Sequence, residues 1–178
     1  KYFKSNLEGF YNILEICKNN KIKHLLFASS SSVYGDADFF PSKENQITNM
    51  PLSFYAATKM SNELMAFSYS NIYKLPCTGI RFFTIYGPYG RPDMSLFKFT
   101  DLIQSSKKVE LYNSGDHERD FTYIDDCINI LVKIIKKPIK SKIPFNIINI
   151  GSGKPKKLLY FLRLIEKKLN KKAITICR

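Results

Sequence analysis

The chain has 178 residues, 44% of them hydrophobic, which suits one globular domain or parts of two. It has no apolar run near the roughly 18 residues of a membrane helix, and it starts on an amphipathic pattern instead of a secretory signal. The net charge of +13 comes entirely from residues 131–178, which hold 14 basic residues and one acid. Because Tyr160 and Phe161 fall in the apolar pattern of a helix there, this run predicts a solvated Lys-rich face. We therefore expect a cytoplasmic protein without a membrane or nucleic-acid partner.

Hydrophobic periodicity and turn residues divide the chain into alternating elements. In chain order, the predicted helices cover residues 2–19, 54–72, 95–106, 125–137 and 157–169. The predicted strands cover residues 22–29, 77–83, 109–112, 120–124 and 145–150. Residues 30–53 are a predicted loop, Ser53 is placed to cap the helix that follows, and Pro76 closes that helix. Strands alternating with helices predict an α/β fold with a parallel sheet, because parallel strands need crossover helices.

The four cysteines, Cys17, Cys77, Cys127 and Cys177, are far apart and form no C-x-x-C pair. Disulfide scaffolds and metal sites are therefore not expected, and a reducing compartment fits.

Ligands bind parallel sheets beyond the carboxyl ends of strands, which selects the residues after 22–29, 77–83 and 145–150. The first of these places reads ASSSSVYG and offers several hydroxyl and N–H groups. Alone, this stretch is more typical of a polar turn. Tyr55, however, follows Ser30 by 25 residues on the next helix, and Lys59 lies one turn later on the same helix face.

The stretch YAATK, residues 55–59, has a possible chemical use. With 11 Tyr in a Lys-rich chain, roughly one Tyr-x-x-x-Lys pair is expected by chance, so the pair needs its context. A phenol with a pKa of about 10 is a poor base, but a nearby ammonium group and a cationic nicotinamide favour the phenolate. That base could take a proton from a sugar hydroxyl, while a Ser hydroxyl hydrogen-bonds the developing carbonyl oxygen.

Six segments, in order, resemble the extended short-chain dehydrogenase/reductase family, in particular its nucleotide-sugar epimerases and most closely the UDP-glucuronate 4-epimerase branch. They read SNLEGFYNILE, FASSSSVYG, PLSFYAATKMSNE, RFFTIYGPYGRPDMSLFKFT, RDFTYIDD and NIGSGKP. The Ser, Tyr and Lys set is shared by the superfamily, whereas YGPYGRPDMSLFKFT followed by RDFTYIDD is more specific to the uronate branch. The resemblance implies an incomplete Rossmann-like parallel sheet with part of a smaller substrate-binding region. It also implies bound NAD, a UDP-sugar substrate and a homodimer formed through helices 2–19 and 54–72.

The resemblance also implies residue roles. Tyr55 would be the catalytic base and acid, Lys59 would hold the nicotinamide ribose and tune Tyr55, and Ser30 and Ser32 would contact the reacting hydroxyl. The implied cofactor contacts are Asn6, Ala28, Ser29, Ser30, Tyr55, Lys59 and Phe83. The implied substrate contacts are Ser30, Ser31, Ser32, Tyr55, Thr84 and Arg91 at the sugar and its carboxylate, and Tyr112 and Arg119 near the uracil and diphosphate. Taken alone, Arg91 or Arg119 would be interpreted as a surface ion pair.

The family's glycine-rich turn, G-x-x-G-x-x-G, holds the cofactor's pyrophosphate, and these 178 residues lack it. Gly151-Ser-Gly153 follows a late strand and predicts an ordinary turn. We expect the fingerprint upstream of Lys1 and a further part beyond Arg178, so that this chain alone is inactive and holds no measurable NAD. Residues 1–90, with contributions from 119–150, would be the later part of the NAD-binding domain. Residues 91–118 and 151–178 would be parts of the nucleotide-sugar-binding region.

The function that the resemblance implies is NAD-dependent 4-epimerisation of UDP-glucuronate to UDP-galacturonate through a 4-keto intermediate, in polysaccharide biosynthesis. Ser31 and Ser32 stand where the family's dehydratases have an Asp-Glu pair, which favours an epimerase. The alternatives are a UDP-N-acetylhexosamine or UDP-glucose 4-epimerase, and a non-catalytic module that binds RNA through residues 131–178. The intact Ser, Tyr and Lys set argues against the last.

Overall fold

A computed structural model describes residues 1–36 and 41–178 of the chain. The first helix starts as a π-helical segment, Phe3–Glu8, and the α-helices are α1 Gly9–Asn19, α2 Phe54–Tyr73, α3 Ser95–Gln104, α4 Ile124–Ile135 and α5 Leu158–Leu169. The longer strands are β1 Leu25–Ser30, β2 Cys77–Phe82, β3 Thr84–Tyr86, β4 Lys108–Leu111, β6 Phe121–Tyr123, β7 Phe145–Ile150 and β9 Ile174–Cys177. Two strands have only two residues each, β5 Glu118–Arg119 and β8 Lys156–Lys157. Short 3-10 turns cover Ser31–Tyr34 and Tyr112–Gly115.

The ten predicted helices and strands are all present, with boundaries that differ by at most three residues. The first strand begins late because Lys21 has a left-handed backbone, with φ of 49°, and the N–H of Ile22 bonds back to the carbonyl of Cys17. The short strands β3, β5, β8 and β9 were not predicted, because two to four residues carry too little periodicity to identify a strand. Part of the predicted loop 30–53, residues 37–40, lies outside the described residues.

The chain divides into two compact units, the first made of residues 1–83 and 127–150 and the second of residues 84–126 and 151–178. In the first unit, β1, β2 and β7 form the predicted parallel sheet, and their order in it is β1-β2-β7. Ser30 lies opposite Phe82, and Phe82 lies opposite Ile150, so the three strands end in one row. The residues that follow these strands therefore leave the sheet at a single edge.

Two helices cover the sheet of the first unit. Ser53 caps α2, as predicted: its Oγ accepts a hydrogen bond from the N–H of Ala56 at 3.1 Å. The helical spacing of the apolar residues of α1 places three of them in one core with residues of β1, α2 and β2. This core consists of Phe10, Leu14, Cys17, Phe27, Ala66, Leu75 and Cys77.

The second unit holds three two-stranded pairs, β3 with β6, β4 with β9, and β5 with β8. The first two pairs are parallel and the third is antiparallel. Helices α3 and α5 pack together, and α3 also packs on β4. The core of this unit consists of Phe99, Ile103, Val109, Leu111 and Leu162.

Within residues 1–36 and 41–178, no helix combines the length and the apolar character that crossing a membrane would require. The same described residues contain no group of three or more His, Cys, Asp or Glu side chains that could hold a metal ion. Three of the free cysteines are buried, and Cys177 is exposed.

Candidate active site

The serine-rich stretch after β1 forms a tight turn with two hydroxyls side by side. Ser30 has an extended backbone, and its Oγ accepts hydrogen bonds from the N–H of Ser32 at 3.2 Å and from the Oγ of Ser32 at 2.9 Å. Gly35 ends the turn with φ of 64°, and a Cβ there would lie 2.5 Å from the carbonyl oxygen of Met50. Glycine is therefore required, and the turn holds Ser30 and Ser32 at the carboxyl end of β1.

Tyr55 and Lys59 lie one turn apart on α2, as the sequence predicts. The Nζ of Lys59 donates to the carbonyl of Ala28 at 2.9 Å and lies 5.7 Å from the centroid of the Tyr55 ring. Burial lowers the pKa of the Lys59 ammonium. The half-buried Tyr55 ring packs on Tyr2, with 5.6 Å between ring centroids. Lys59 thus anchors the α2 pair to the strand that leads into Ser30.

An open pocket of about 390 Å³ brings together three of the predicted cofactor contacts, Asn6, Ala28 and Lys59. The amide of Asn6 is oriented by Thr58, because its Nδ2 donates to the Thr58 Oγ1 at 3.0 Å. Phe83 does not line this pocket. It follows β2, and its N–H bonds the carbonyl of Ile150 at 3.1 Å.

Ser29, predicted to line the nicotinamide side, directs its hydroxyl to a side chain of α2. Its side chain is buried, and its Oγ donates to the Oε1 of Glu63 at 2.5 Å. Glu63 also accepts from Arg81, whose Nε lies 2.9 Å from Oε1 and whose Nη2 lies 2.7 Å from Oε2.

This buried pair was not predicted, although two features of the sequence indicate it. Glu63 follows Lys59 by one further turn of the same helix face, so its carboxylate lies on the side of α2 that meets the sheet. Arg81 is the one charged residue of the strand Cys77–Phe82, and a charge buried in a sheet needs a partner.

The second unit contains a pocket of about 360 Å³, lined by two predicted sugar contacts, Thr84 and Arg91. The guanidinium of Arg91 is largely exposed and pairs with the carboxylate of Asp93, to which its Nε donates at 3.0 Å and its Nη2 donates as well. This hydrogen bonding from Arg91 lowers the pKa of Asp93. The guanidinium of Arg91 therefore lines this pocket while it is ion-paired with the carboxylate of Asp93.

Tyr112 and Arg119, the two residues predicted near uracil and diphosphate, do not line this pocket. Both are exposed. The hydroxyl of Tyr112 donates to Glu110 at 3.4 Å, and the Nη1 of Arg119 donates to the carbonyl of Glu118 at 3.1 Å.

Asp120 is a further anchor of the second unit that the sequence did not single out. Its carboxylate accepts from the N–H and Oγ of Ser152, from the N–H of Gly153 and from the Oγ1 of Thr122, at 2.7 to 3.1 Å. Its backbone carbonyl accepts from the N–H of Thr84 at 3.0 Å. Burial by itself would raise the pKa of Asp120, but the hydrogen bonds from Ser152, Gly153 and Thr122 outweigh it, and the pKa is lowered.

Residues 1–151 match the sequence profile of the NAD dependent epimerase/dehydratase family. The chain is 42% identical to a probable UDP-glucuronate 4-epimerase of Rhizobium meliloti over 97% of this chain and 55% of that protein. It spans about half the length of the curated relatives that it matches.

Two solved structures have the same fold. A UDP-glucuronic acid 4-epimerase from Bacillus cereus, in complex with UDP-glucuronic acid and NAD, has a TM-score of 0.91 and 33% identity over 99% of this chain and 55% of its own. A UDP-N-acetylglucosamine 4-epimerase from Methanobrevibacter ruminantium, in complex with UDP-N-acetylmuramic acid, has a TM-score of 0.88 and 28% identity over 99% of this chain and 56% of its own. These matches confirm the predicted Rossmann-like α/β fold and the family resemblance.

The hydrogen bonds of Asp120 predict an acid-sensitive contribution to stability. Because its folded pKa lies below the unfolded value of about 3.9, the contribution is present above that value and is lost as the pH falls through the folded pKa. We expect Asp120→Asn to lower the free energy of unfolding by about 1 kcal/mol at pH 7. This value is at the low end for hydrogen bonds to a charged group, because the carboxylate is partly exposed. Urea unfolding at pH 7, 5, 4 and 3 should show this difference shrink below about pH 4. A difference that stays constant with pH would contradict the role of the charge.

Proposed function

We propose that the whole protein is an NAD-dependent UDP-sugar 4-epimerase, because this chain belongs to the NAD dependent epimerase/dehydratase family. The observation that supports this most is the arrangement around the end of β1. Lys59, one turn after Tyr55, is hydrogen-bonded to the carbonyl of Ala28, two residues before Ser30. An acid/base pair and a pair of hydroxyls are what proton transfer at a sugar hydroxyl requires.

We propose that NAD is held on the side of Asn6, Ala28 and Lys59. The open pocket that they line offers an amide, an ammonium group and the apolar side chain of Phe27, a donor set that suits a ribose beside a flat ring. Ser30, Tyr55 and Phe83 are further proposed contacts, and Ser29 would contribute through its backbone because its hydroxyl is bonded to Glu63. When bound, NAD would supply the acceptor and donor of hydride.

The chain's own residues would move the proton. We propose that Tyr55 takes the proton from the sugar's 4-hydroxyl and later returns it. The ammonium of Lys59 lies 5.7 Å from the centroid of the Tyr55 ring, on the same side of α2. Ser32 donates to Ser30, so the Ser30 hydroxyl keeps its own proton for the developing carbonyl oxygen, and Ser31 would contribute from the same turn.

Replacement of Tyr55 tests this role. Tyr55→Phe in the full-length protein should keep NAD bound but lower kcat roughly a hundredfold or more, the scale of a positioned acid/base group. Tyr2→Phe is the matched control, because it removes the phenol hydroxyl of the neighbouring ring and should leave kcat near that of the wild type. Near-normal turnover by Tyr55→Phe would remove Tyr55 from the reaction.

For the substrate, we propose UDP-glucuronate, with UDP-galacturonate as product. Arg91 supports this choice because it lines the pocket of the second unit with Thr84 and pairs with the carboxylate of Asp93. A guanidinium that binds the carboxylate of Asp93 in a bidentate geometry can bind the carboxylate of a uronate sugar in the same way. Tyr112 and Arg119 are proposed for the uracil and diphosphate, and their exposed side chains are compatible with that.

Substitution of Arg91 tests the substrate. Arg91→Ala should cost about 2 kcal/mol of transition-state stabilisation for UDP-glucuronate, measured as a fall in kcat/KM. The kcat/KM for UDP-glucose should change much less, because the neutral sugar has no carboxylate to pair with Arg91. Asp93→Asn is the control, since it removes the competing carboxylate and should maintain or raise the preference for the uronate. An unchanged ratio of the two kcat/KM values after Arg91→Ala would exclude the carboxylate role.

A second candidate is a UDP-N-acetylhexosamine 4-epimerase, which the similarity to the Methanobrevibacter ruminantium enzyme supports. The same assays separate the two, because such an enzyme would turn over the N-acetylated sugar and show little uronate activity before any substitution.

We also propose that the protein forms homodimers through α1 and α2. Both helices expose large apolar side chains, an arrangement typical of surfaces that bind another protein. These side chains are Tyr11, Ile13, Ile16, Phe54, Leu64, Phe67, Ile72 and Tyr73.

Leu64 offers a direct test because 70% of its surface is exposed on α2. Leu64→Glu in the full-length protein should halve the mass measured by light scattering, since a charge would be buried at the interface. Ile47→Glu, at an exposed loop position, should leave the mass unchanged. A wild type that is monomeric at micromolar concentration would refute the dimer.

A further inference from the structure

We infer that Glu63 is a positioning residue, whose buried carboxylate fixes α2, and with it Tyr55 and Lys59, against the strand that leads into the serine turn. The inference rests on the proposed role of Tyr55 and extends it. No contact of Glu63 with substrate or cofactor is involved.

The carboxylate of Glu63 joins three elements. Both Ser29 of β1 and Arg81 of β2 donate to it, through the hydroxyl at 2.5 Å and through two guanidinium nitrogens at 2.7 and 2.9 Å. The side chains of Arg81 and Glu63 are only 4% and 10% exposed. All of these groups are therefore hydrogen-bonded in an environment with little water, where their geometry is strongly determined.

The position of Glu63 on α2 makes this contact relevant to the site. Tyr55, Lys59 and Glu63 follow one another at intervals of four residues and so project from one side of the helix. Lys59 bonds the carbonyl of Ala28, and Glu63 bonds the hydroxyl of Ser29, the next residue along β1. Two contacts a turn apart fix both the rotation of α2 and its position along the strand.

The same network also supports the serine turn from its other side. The guanidinium of Arg81 lies 4.8 Å from the centroid of the Tyr34 ring, at the end of the turn. The Tyr34 hydroxyl donates to the Oδ1 of Asn149 on β7 at 2.7 Å. The turn that carries Ser30 and Ser32 is thus held at its start through Ser29 and at its end through Tyr34, and both contacts lead to the pair of Glu63 and Arg81.

Two substitutions in the full-length protein test this inference. Glu63→Gln keeps the size of the side chain but directs an NH₂ group toward the guanidinium of Arg81, donor against donor. Ser29→Ala is the milder change, because it removes one hydroxyl and leaves the ion pair intact. The readouts are kcat and KM for the UDP-sugar that the wild type converts, and amide hydrogen exchange of residues 25–36.

We expect kcat to fall about tenfold or more in Glu63→Gln and about threefold or more in Ser29→Ala, because small displacements of reacting groups have large effects on rate. KM should stay within about twofold, since the binding contacts remain, and hydrogen exchange in residues 25–36 should become faster.

Ser70→Ala is the matched control. Ser70 is buried on the same helix, and its hydroxyl donates to the carbonyl of Leu75 at 2.7 Å, far along α2 from Tyr55. It should leave kcat and the exchange of residues 25–36 unchanged.

If Ser29→Ala and Ser70→Ala behave alike, Glu63 is an ordinary packing residue and the inference is overturned. If Glu63→Gln does not fold, Ser29→Ala decides. If the wild type converts no UDP-sugar, the proposed function fails, and the hydrogen exchange of the three variants still decides the positioning role.

Discussion

The first unit depends on one electrostatic constraint: a guanidinium buried in the middle strand of its sheet must have a carboxylate within reach. Without it, an uncompensated charge would remain in a region of low dielectric constant, at a cost of several kcal/mol. Arg81 of β2 obtains that carboxylate from Glu63 of α2. Because the two residues lie on different elements, the requirement determines which side of the helix faces the sheet. The placement of Tyr55 and Lys59 follows from it, since they share that side.

The second unit uses a carboxylate in a comparable way but without a cation. Asp120 satisfies two backbone N–H groups of the loop after β7 and two hydroxyls, while its own carbonyl bonds the first residue of β3. Such a side chain replaces the regular hydrogen bonds that loops lack. In each unit, one carboxylate connects segments that are distant in sequence: Glu63 of α2 in the first unit, and Asp120, between β5 and β6, in the second.

The elements, the cap at Ser53 and the parallel sheet could be predicted, because each depends on local pattern and composition. Tyr55 and Lys59 could be placed on one helix face from their spacing, whereas their role depended on the motifs around them. The direction of the Ser29 side chain could not be predicted, because the sequence LLFASS of β1 has no alternation of polar and apolar residues from which to assign its faces. The pairing of Glu63 with Arg81 joins residues 18 apart across two elements, so it needs the three-dimensional arrangement. Arg91 and Asp93 are only two positions apart, so their contact could have been predicted from the sequence.

The shared side of α2 also limits how the length of this helix can change during evolution. One residue inserted between Tyr55 and Glu63 would rotate everything on one side of it by about 100° relative to the other and shift it by about 1.5 Å. Either the phenol or the carboxylate would then turn away from the sheet. Exposed positions of α2 outside the proposed dimer surface face no such restriction. Related proteins should therefore keep the number of residues in this segment fixed while those exposed positions vary in composition.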